Sequence, residues 1–419
     1  MTRFRIVLSV CWLWLGTAGA TPADQPPSAS SASAEGCSAV NQLVVLSGND
    51  LMPLVGTPVR QLSMLSASPT GLRPIVFQVD RRDARGRYII DDAAGAESGD
   101  PLLGLHDELV FLASDAGARL SDITRYSKTA KLAEIKLDET PGISPRWVYV
   151  RSSKEPHPVR SNQQIQYNAE SDLITSAAYR LGFDKQLPFL VDVFRWKTDT
   201  GDGWSPNIVD TMKIRHRGTF LGFISFTRTH RDYSSSLTGV KAGPLRVIRR
   251  TENRIRVLWH LKTPAVHIDY VVMPGGFIMD TVIDIPFNVG LFFGGIETLT
   301  TVDWNQNPEL PDLTVGMPGH RSTAAINGHM SPEKHAFNLL QAHQFTVTSS
   351  LGRMLVSLEI PPGVPITPWL YLRDALNETD PPEKRTGQFG NIGFRTTGWE
   401  QIDTQVQHVK FTVCLEPEQ

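Results

Sequence analysis

The sequence lacks any apolar run of the roughly 20 residues that a membrane-spanning helix needs. Its most apolar stretch, Ile6–Leu15, has ten residues. As a helix this stretch would be about 15 Å long, half of a hydrocarbon core of roughly 30 Å. Arg3 and Arg5 precede it, and Ala18-Gly19-Ala20 follows with small residues suited to a cleavage site. We therefore expect residues 1–20 to be a signal peptide, cleaved near Ala20, and not a membrane anchor.

Export defines the expected compartment of the mature chain. Residues 21–39 begin TPADQPPSAS and are rich in Ser, Ala and Pro, which predicts a disordered leader. No later apolar run approaches the length of a membrane span. The expected product is therefore a soluble protein of the periplasm or the extracellular space.

Cysteine is scarce, with three residues in the whole chain. Cys11 would leave with the signal peptide, so the mature chain keeps Cys37 and Cys414, one near each end. In an oxidising compartment this placement predicts a disulfide between them. Closing so long a loop stabilises a fold by about 5 kcal/mol in the chain-entropy model. Two buried free thiols are the alternative.

Motifs that announce a cofactor or a nucleophile are also missing. The sequence has no Walker A loop, no G-x-G-x-x-G, no G-x-S-x-G elbow and no C-x-x-C-H haem site. A histidine group lies in residues 320–343, but its gaps of nine, six and eight residues do not match the close pairs of metal sites. Its members are His320, His329, His335 and His343. We therefore expect no cofactor and no metal.

What the sequence has in abundance is period-2 alternation and β-branched runs, with turn residues every 8–14 positions. This pattern predicts an all-β chain with few short helices. One helix is expected at Ser331–His343, with Ser331 as its cap and Pro332 in its first position. A polar, proline-containing stretch at 152–165 predicts a boundary between a small N-terminal β-sandwich (40–152) and a larger two-sheet β-sandwich (165–416).

Four sequence blocks resemble blocks of uncharacterised secreted bacterial β-sandwich proteins. They are PIVFQVD (74–80), DELVFLASDAG (107–117), GPLRVIRR (243–250) and DPPEKRTGQFGNIGF (380–394). Blocks similar to the first two occur beside large sandwich domains of the galactose-mutarotase and polysaccharide-lyase kind. The resemblance implies a sandwich architecture, and it supplies no catalytic residues.

The carboxylates of the first two blocks invite comparison with a calcium loop. Asp80, Asp83 and Gly86 have the spacing D-x-x-D-x-x-G, which is not the ligand series of an EF-hand. Three arginines of the stretch 81–85 intrude among these acids. We therefore expect Asp80 and Asp107 to be solvated strand ends and not metal ligands.

The segment 213–256 is strongly basic. It has eleven Lys or Arg residues against Asp232 and Glu252, a balance of +9 in a chain of net charge −2. The planar guanidinium group matches carboxylates, phosphates and sulfates. Alternating strands would place many of these groups on one sheet face, and we expect the following to bind ligand: Arg215, Arg217, Arg228, Arg246, Arg249 and Arg250. The alternative is that they pair with acids elsewhere or protect sheet edges.

Two adjacent predicted strands, Arg254–Leu261 and Val266–Met273, carry the groups best suited to catalysis. A four-residue turn between them would put His260 directly across from His267, with Asp269 on the diagonal about 7–8 Å away. With Arg256 on the same face, this set could neutralise a uronate and remove a proton, as a polysaccharide lyase does. The alternative is a polar sheet face in contact with water.

These observations predict an exported protein that binds an anionic glycan or an envelope partner through its arginine-rich face, without catalysis. The alternative is a carbohydrate-active enzyme of lyase or mutarotase type that uses His260, His267, Asp269 and Arg256. A structural module with a protein ligand is a third possibility. Nucleic acid is not expected as a partner, because exported proteins rarely meet it.

Overall fold

The computed structural model describes residues 28–29, 43–69, 71–90, 101–123, 126, 130–137, 145–154, 163–199, 201–258, 260–306, 312–319, 323–379, 387–402 and 404–416. Strands make up 54% of the chain, which confirms the predicted all-β class. No helix within the described ranges is both long and apolar enough to span a bilayer. The expected signal peptide and Cys37 lie outside these residues.

The N-terminal part of the chain forms two sheets. Its strands in chain order are β1 (Ser28–Ala29), β2 (Leu43–Ser47), β3 (Leu62–Ser68), β4 (Gly71–Pro74), β5 (Phe77–Asp80), β6 (Glu108–Leu112), β7 (Leu132–Leu137) and β8 (Trp147–Ser152). One sheet has the order β1-β7-β8-β3-β4, and the other has the order β2-β6-β5. β1 pairs parallel to β7, and the other pairs of both sheets are antiparallel.

A hydrophobic core fills the space between these two sheets. Leu46, Leu109 and Phe111 of the three-stranded sheet are fully buried against Ile135 and Val148 of the five-stranded sheet. The side chains that face this core alternate along each strand with polar ones, as the period-2 pattern predicts. The N-terminal part is thus a small two-layer unit with its own core.

The rest of the chain supplies three further sheets. Its strands are β9 (Ile165–Asn168), β10 (Leu173–Ser176), β11 (Tyr179–Phe183), β12 (Val191–Trp196), β13 (Val209–Phe220), β14 (Ile224–Thr229), β15 (Tyr233–Ala242), β16 (Val247–Leu258), β17 (Leu261–Lys262), β18 (Val266–Met273), β19 (Gly276–Ile283), β20 (Phe293–Trp304), β21 (Thr314–Gly316), β22 (Ala324–Ala325), β23 (Gln344–Ser349), β24 (Gly352–Glu359), β25 (Thr367–Arg373), β26 (Asn391–Thr397) and β27 (Gln407–Glu416). The four-stranded sheet has the order β12-β11-β10-β9, and the five-stranded sheet has the order β14-β13-β20-β26-β25. The ten-stranded sheet has the order β15-β16-β18-β19-β27-β24-β23-β21-β22, with β17 paired to β16.

One large core joins these three sheets. Tyr270 and Val347 of the ten-stranded sheet face Leu370 and Phe394 of the five-stranded sheet, and Leu181 of the four-stranded sheet extends the same cluster. Two sheets that pack face to face in this way form a sandwich. The division at 152–165 into two domains remains our proposal, supported by the separate cores on either side of it.

The N-terminal unit packs on the outer face of the ten-stranded sheet. Val76 and Val110 contact Leu245 in one small apolar cluster, while Tyr88 contacts Ile248 and Val271 in another. Both clusters involve residues at or near β16 and β18. The region 243–273 therefore joins the two parts of the chain.

Within the residues that the structure describes, helical structure is limited to short elements. The α-helix α1 spans Pro332–Phe337. The 3-10 helices are Gly48–Leu54, Val59–Gln61, Ala113–Asp115, His230–Asp232, Val289–Leu291 and Trp399–Gln401.

The start of α1 agrees with the prediction, and its end does not. The Ser331 side chain accepts a hydrogen bond from the Lys334 backbone N–H, and Pro332 occupies the first turn. The predicted end at His343 is wrong because the Asn338 side chain bonds both the backbone N–H and the carbonyl of Leu372 in β25. These tertiary bonds draw the chain out of the helix.

Candidate functional site

The basic side chains of the segment 213–256 point to both sides of their sheets. Arg249 is fully buried in the sandwich interior, where it pairs with Asp172. Its neighbour Arg250 lies on the opposite face of β16 and donates two hydrogen bonds to Asp269, at 2.7 and 2.6 Å. Successive residues of a strand alternate in this way, so a dense run of arginines divides between two environments.

Internal acids neutralise most of this segment. The ion pairs are Lys213–Asp303, Lys241–Asp80, Arg246–Asp80, Arg246–Glu108, Arg249–Asp172, Arg250–Asp269, Arg254–Glu252 and Arg256–Asp232. Arg228 bonds the carbonyl of Val257, and Arg215 is buried in β13 while Arg217 is exposed there. The prediction of one ligand-binding face made by Arg215, Arg217, Arg228, Arg246, Arg249 and Arg250 is therefore wrong.

Asp80 is at the centre of a buried ion network. It has no exposed surface, it pairs with Arg246, and it lies 3.0 Å from the Lys241 ammonium and 2.9 Å from the Gln78 amide. Burial acts to raise the pKa of Asp80, but the charges of Arg246 and Lys241 outweigh it and hold the pKa below its ordinary value. Arg246 also pairs with Glu108.

The expectation that Asp80 and Asp107 are solvated strand ends is thus wrong. The Asp107 carboxylate is 3% exposed and accepts hydrogen bonds from the backbone N–H groups of Gly104 and Arg82. Both aspartates serve structure, one as a counter-ion and the other as a turn anchor.

The proposed catalytic set does not assemble. Most of the predicted strand Arg254–Leu261 is the second half of one longer strand, β16, whose register pairs His267 with Glu252. His260 lies in the turn that follows β16 and is exposed. The predicted four-residue hairpin is wrong because the chain turns back early and forms β17 on β16 before it enters β18. The facing of His260 and His267 is lost with it.

The other members of the set have partners of their own. Arg256 pairs with Asp232 at 2.6 Å, and Asp269 is 1% exposed and held by Arg250. Burial first, and then the charge of Arg250, lower the pKa of His267. Asp269 and His267 share the outer sheet face, while His260 and Arg256 lie toward the end of the neighbouring strand.

A polar cleft of about 650 Å³ lies further along the same sheet, with His343, Glu359, His408 and Lys410 in its wall. The His408 Nδ1 atom is 2.9 Å from the Asp280 carboxylate. No group of three or more His, Cys, Asp or Glu among the described residues could hold a metal ion. Of the histidine group, His320 is outside those residues, and His329, His335 and His343 are exposed.

The four-stranded sheet carries a different kind of surface on its outer face. Strand register places Gln166, Thr175, Arg180 and Arg195 in one row across β9 to β12. Their neighbours along each strand point inward to the large core. Arg180 and Arg195 are directly opposite each other, where side chains of an antiparallel pair lie about 5 Å apart and like charges are unfavourable.

Trp204 completes this surface. A backbone bridge joins it to Lys197 at the end of β12. The Arg180 guanidinium lies 4.3 Å from the centre of the Trp204 ring, and the Lys197 ammonium lies 4.8 Å from it. Gly201 and Gly203 have positive φ in the turn before the ring, a conformation that suits glycine. We call Arg180, Arg195, Lys197 and Trp204 the cationic-aromatic face.

The cations of this face are not neutralised internally. Within the described part of the chain, no carboxylate forms an ion pair with Arg180, Arg195 or Lys197. The Arg180 Nε atom is buried without a hydrogen-bond acceptor among those residues. The two positive charges over the Trp204 ring, together with that of Arg195 opposite Arg180, thus attract an anion.

Sequence reasoning missed this face because its members are spread over 25 positions and no local charge run marks them. Alternation within the strands Tyr179–Phe183 and Val191–Trp196 would have placed Arg180 and Arg195 on the outer side. The pairing of Arg180 with Arg195, however, depends on the register of the hairpin that β11 and β12 form. Trp204 joins through a turn that no strand pattern describes.

Comparison with known proteins gives a loose structural likeness. No protein family matches the sequence, and no curated protein does. Among solved structures, an alpha-mannosidase from Enterococcus faecalis V583 is similar over 90% of this chain and 41% of its own, with a TM-score of 0.40 and 9% identity. This chain therefore spans less than half the length of that protein. A likeness of this size assigns neither fold nor activity.

Proposed function

We propose that the protein is an exported binding protein whose cationic-aromatic face recognises an anionic glycan. The observation that supports this is the opposition of Arg180 and Arg195, beside Lys197 and Trp204, with no ion pair to an acid among the described residues. A chain that neutralises seven of the eleven basic residues in 213–256 leaves these three cations unpaired. The presence of these unpaired cations favours an anionic ligand.

The chemistry of the face suits an acidic sugar. Guanidinium groups bind carboxylates and sulfates through paired N–H donors. Two guanidinium groups side by side can each bind one anionic group. The Trp204 ring adds a flat apolar surface against which a sugar ring can pack. A linear polyuronate or sulfated glycan presents both anionic groups and sugar rings in a regular repeat.

The carbohydrate-active enzyme is a weaker proposal. It requires His260, His267, Asp269 and Arg256 to converge, and the register of β16 with β18 separates them. Asp269 and Arg256 are each engaged by an internal partner. Binding without catalysis is therefore more consistent with the geometry of the protein than catalysis by these four residues.

Calorimetric titration with polyuronate, sulfated glycan and a neutral glucan tests the proposal. We expect the acidic polymers to bind, with an affinity that falls as salt rises. The double variant Arg180→Gln/Arg195→Gln should weaken binding by about tenfold or more, the loss expected for charge-assisted hydrogen bonds. Arg353→Gln is the matched control, because Arg353 is exposed and paired with Glu416 on another sheet.

A second pair of variants isolates the aromatic ring. Trp204→Ala should weaken binding, while Trp369→Ala should not, although Trp369 also packs under an arginine. Equal affinity of the wild type and the double arginine variant for every acidic polymer would refute the proposal. So would the absence of binding to all of them.

A further inference from the structure

A cavity of about 220 Å³ lies inside the large sandwich, between the ten-stranded and five-stranded sheets. Its wall is mainly apolar and includes Ile214, Phe226, Ile255, Val257 and Phe293. An apolar cavity of about 150 Å³ is large enough to bind benzene. This cavity could therefore hold an apolar molecule somewhat larger than benzene.

One polar pair in the wall is already satisfied. The His216 Nδ1 atom is 2.9 Å from the Thr298 hydroxyl, and its Nε2 atom is 2.6 Å from the Tyr233 hydroxyl. Burial lowers the pKa of His216 to about 4, so the imidazole is neutral at physiological pH. The pair brings no charge to the cavity, and the guanidinium of Arg228, which also lines it, donates a hydrogen bond to the Val257 carbonyl.

A second polar group is not satisfied. Asn253 also lines the cavity and is 1% exposed. Its Nδ2 atom donates to the Thr251 hydroxyl at 2.9 Å and lies within hydrogen-bond range of the Val266 carbonyl, which fixes the orientation of the amide. Its Oδ1 atom has no hydrogen-bond donor among the described residues. A buried acceptor without a partner is unfavourable, so a ligand hydroxyl would be stabilised there.

Two exposed apolar side chains lie near the cavity wall. Phe223 is 77% exposed and Leu291 is 71% exposed, at two neighbouring turns that the Leu221 N–H to Phe292 carbonyl hydrogen bond holds together. Phe293 of the cavity wall packs against Phe220 and Phe226 beside these turns. Large exposed apolar side chains often mark a binding site, and the turns that carry these two adjoin the strands of Phe226 and Phe293 in the cavity wall.

We infer that the cavity binds an apolar molecule with one hydroxyl group, which donates a hydrogen bond to Asn253 Oδ1. The volume sets the size, the mainly apolar wall favours an apolar molecule, and the unpaired acceptor selects a hydrogen-bond donor. This site is separate from the cationic-aromatic face and does not depend on it.

Calorimetric titration of the full chain with 4-propylphenol and with its methyl ether tests the inference. The two probes differ in the hydroxyl donor, and we expect the phenol to bind about tenfold more tightly. Asn253→Leu is close to isosteric and should remove this preference while the ether still binds. Arg195→Gln should leave both affinities unchanged, because Arg195 is on the four-stranded sheet.

Several results would overturn the inference. These are failure of the native protein to bind the phenol, equal binding of the two probes, and a preference that persists in Asn253→Leu. If Asn253→Leu does not fold, Ile255→Phe replaces it, because a larger side chain in the cavity wall should exclude both probes. Undiminished binding by a folded Ile255→Phe protein would place the probes elsewhere and contradict the site.

Discussion

Asp80 and Arg246 form an ion pair across the contact between the N-terminal unit and the ten-stranded sheet, and both side chains are almost fully buried. Asp80 ends β5, and Arg246 precedes β16 by one residue. Gln78 bonds both the Asp80 carboxylate and the Arg246 backbone. The pair thus ties together segments that are 166 residues apart.

Loss of one partner should be strongly destabilising. Arg246→Met leaves Asp80 and Glu108 buried beside an apolar side chain, and removal of one partner of a buried pair costs about 3–5 kcal/mol. Arg353→Met is the control, because its pair with Glu416 is solvent-exposed and worth at most about 1 kcal/mol. The free energy of unfolding in urea gives both values. A loss below about 1 kcal/mol for Arg246→Met would show that the pair is not essential to the fold.

The same pair predicts a loss of stability in acid. Because the pKa of Asp80 is lower in the folded protein than in the unfolded chain, its contribution is complete above the ordinary value near 3.8. It disappears as the pH falls through the folded-state pKa. We expect the free energy of unfolding to decline in this acidic range in the wild type, and to decline less steeply in Asp80→Asn. Parallel curves would contradict the assignment to Asp80.

These residues illustrate what local sequence reveals. Local sequence patterns correctly predicted the all-β class and the cap of α1, because each depends on neighbours along the chain. They could not predict that Arg246 meets Asp80 or that Arg180 faces Arg195. Those contacts depend on which strands pair and in which register. A shift of the register by one residue moves every side chain of a strand to the opposite face of the sheet.

Register also explains the failure of the His260–His267 pair. A four-residue turn was assumed, whereas β16 is a single 12-residue strand that meets β18 at Asn253 and Val266. Thr251 and Asn253 of its middle face the sandwich interior, where an apolar pattern would not place them.

His216 should make the fold sensitive to mild acid. Its pKa falls from an ordinary 6.5 to about 4 in the folded protein, so the unfolded chain takes up a proton first as the pH drops. Stability is therefore complete above about pH 6.5 and declines toward pH 4, by roughly 3 kcal/mol at most. Urea unfolding between these pH values should show this slope, and His216→Gln should reduce it. His343→Gln, at an exposed histidine, should keep it, and an unchanged slope in His216→Gln would refute the attribution.

The disulfide between Cys37 and Cys414 remains a prediction from the sequence. Cys414 is 4% exposed in β27, and Cys37 lies outside the described residues. The native protein should resist alkylation in denaturant until it is reduced, and Cys37→Ser should lower the free energy of unfolding by up to about 5 kcal/mol. Two thiols that react in denaturant without a reductant would establish free cysteines instead.

The opposition of Arg180 and Arg195 predicts a conflict between stability and binding. Like charges directly opposite in a sheet are destabilising, and opposite charges there contribute roughly 0.2–1 kcal/mol. Arg195→Glu should therefore raise the free energy of unfolding above that of the wild type, with Arg195→Gln between the two. Arg195→Glu should also bind acidic glycans less tightly, because it reverses a charge on the cationic-aromatic face. Stabilising changes that impair function are expected where a site is maintained at the expense of the fold. An Arg195→Glu protein that is less stable than the wild type would show that the arginine pair is not strained, and one that binds acidic glycans equally well would show that Arg195 is not part of a binding face.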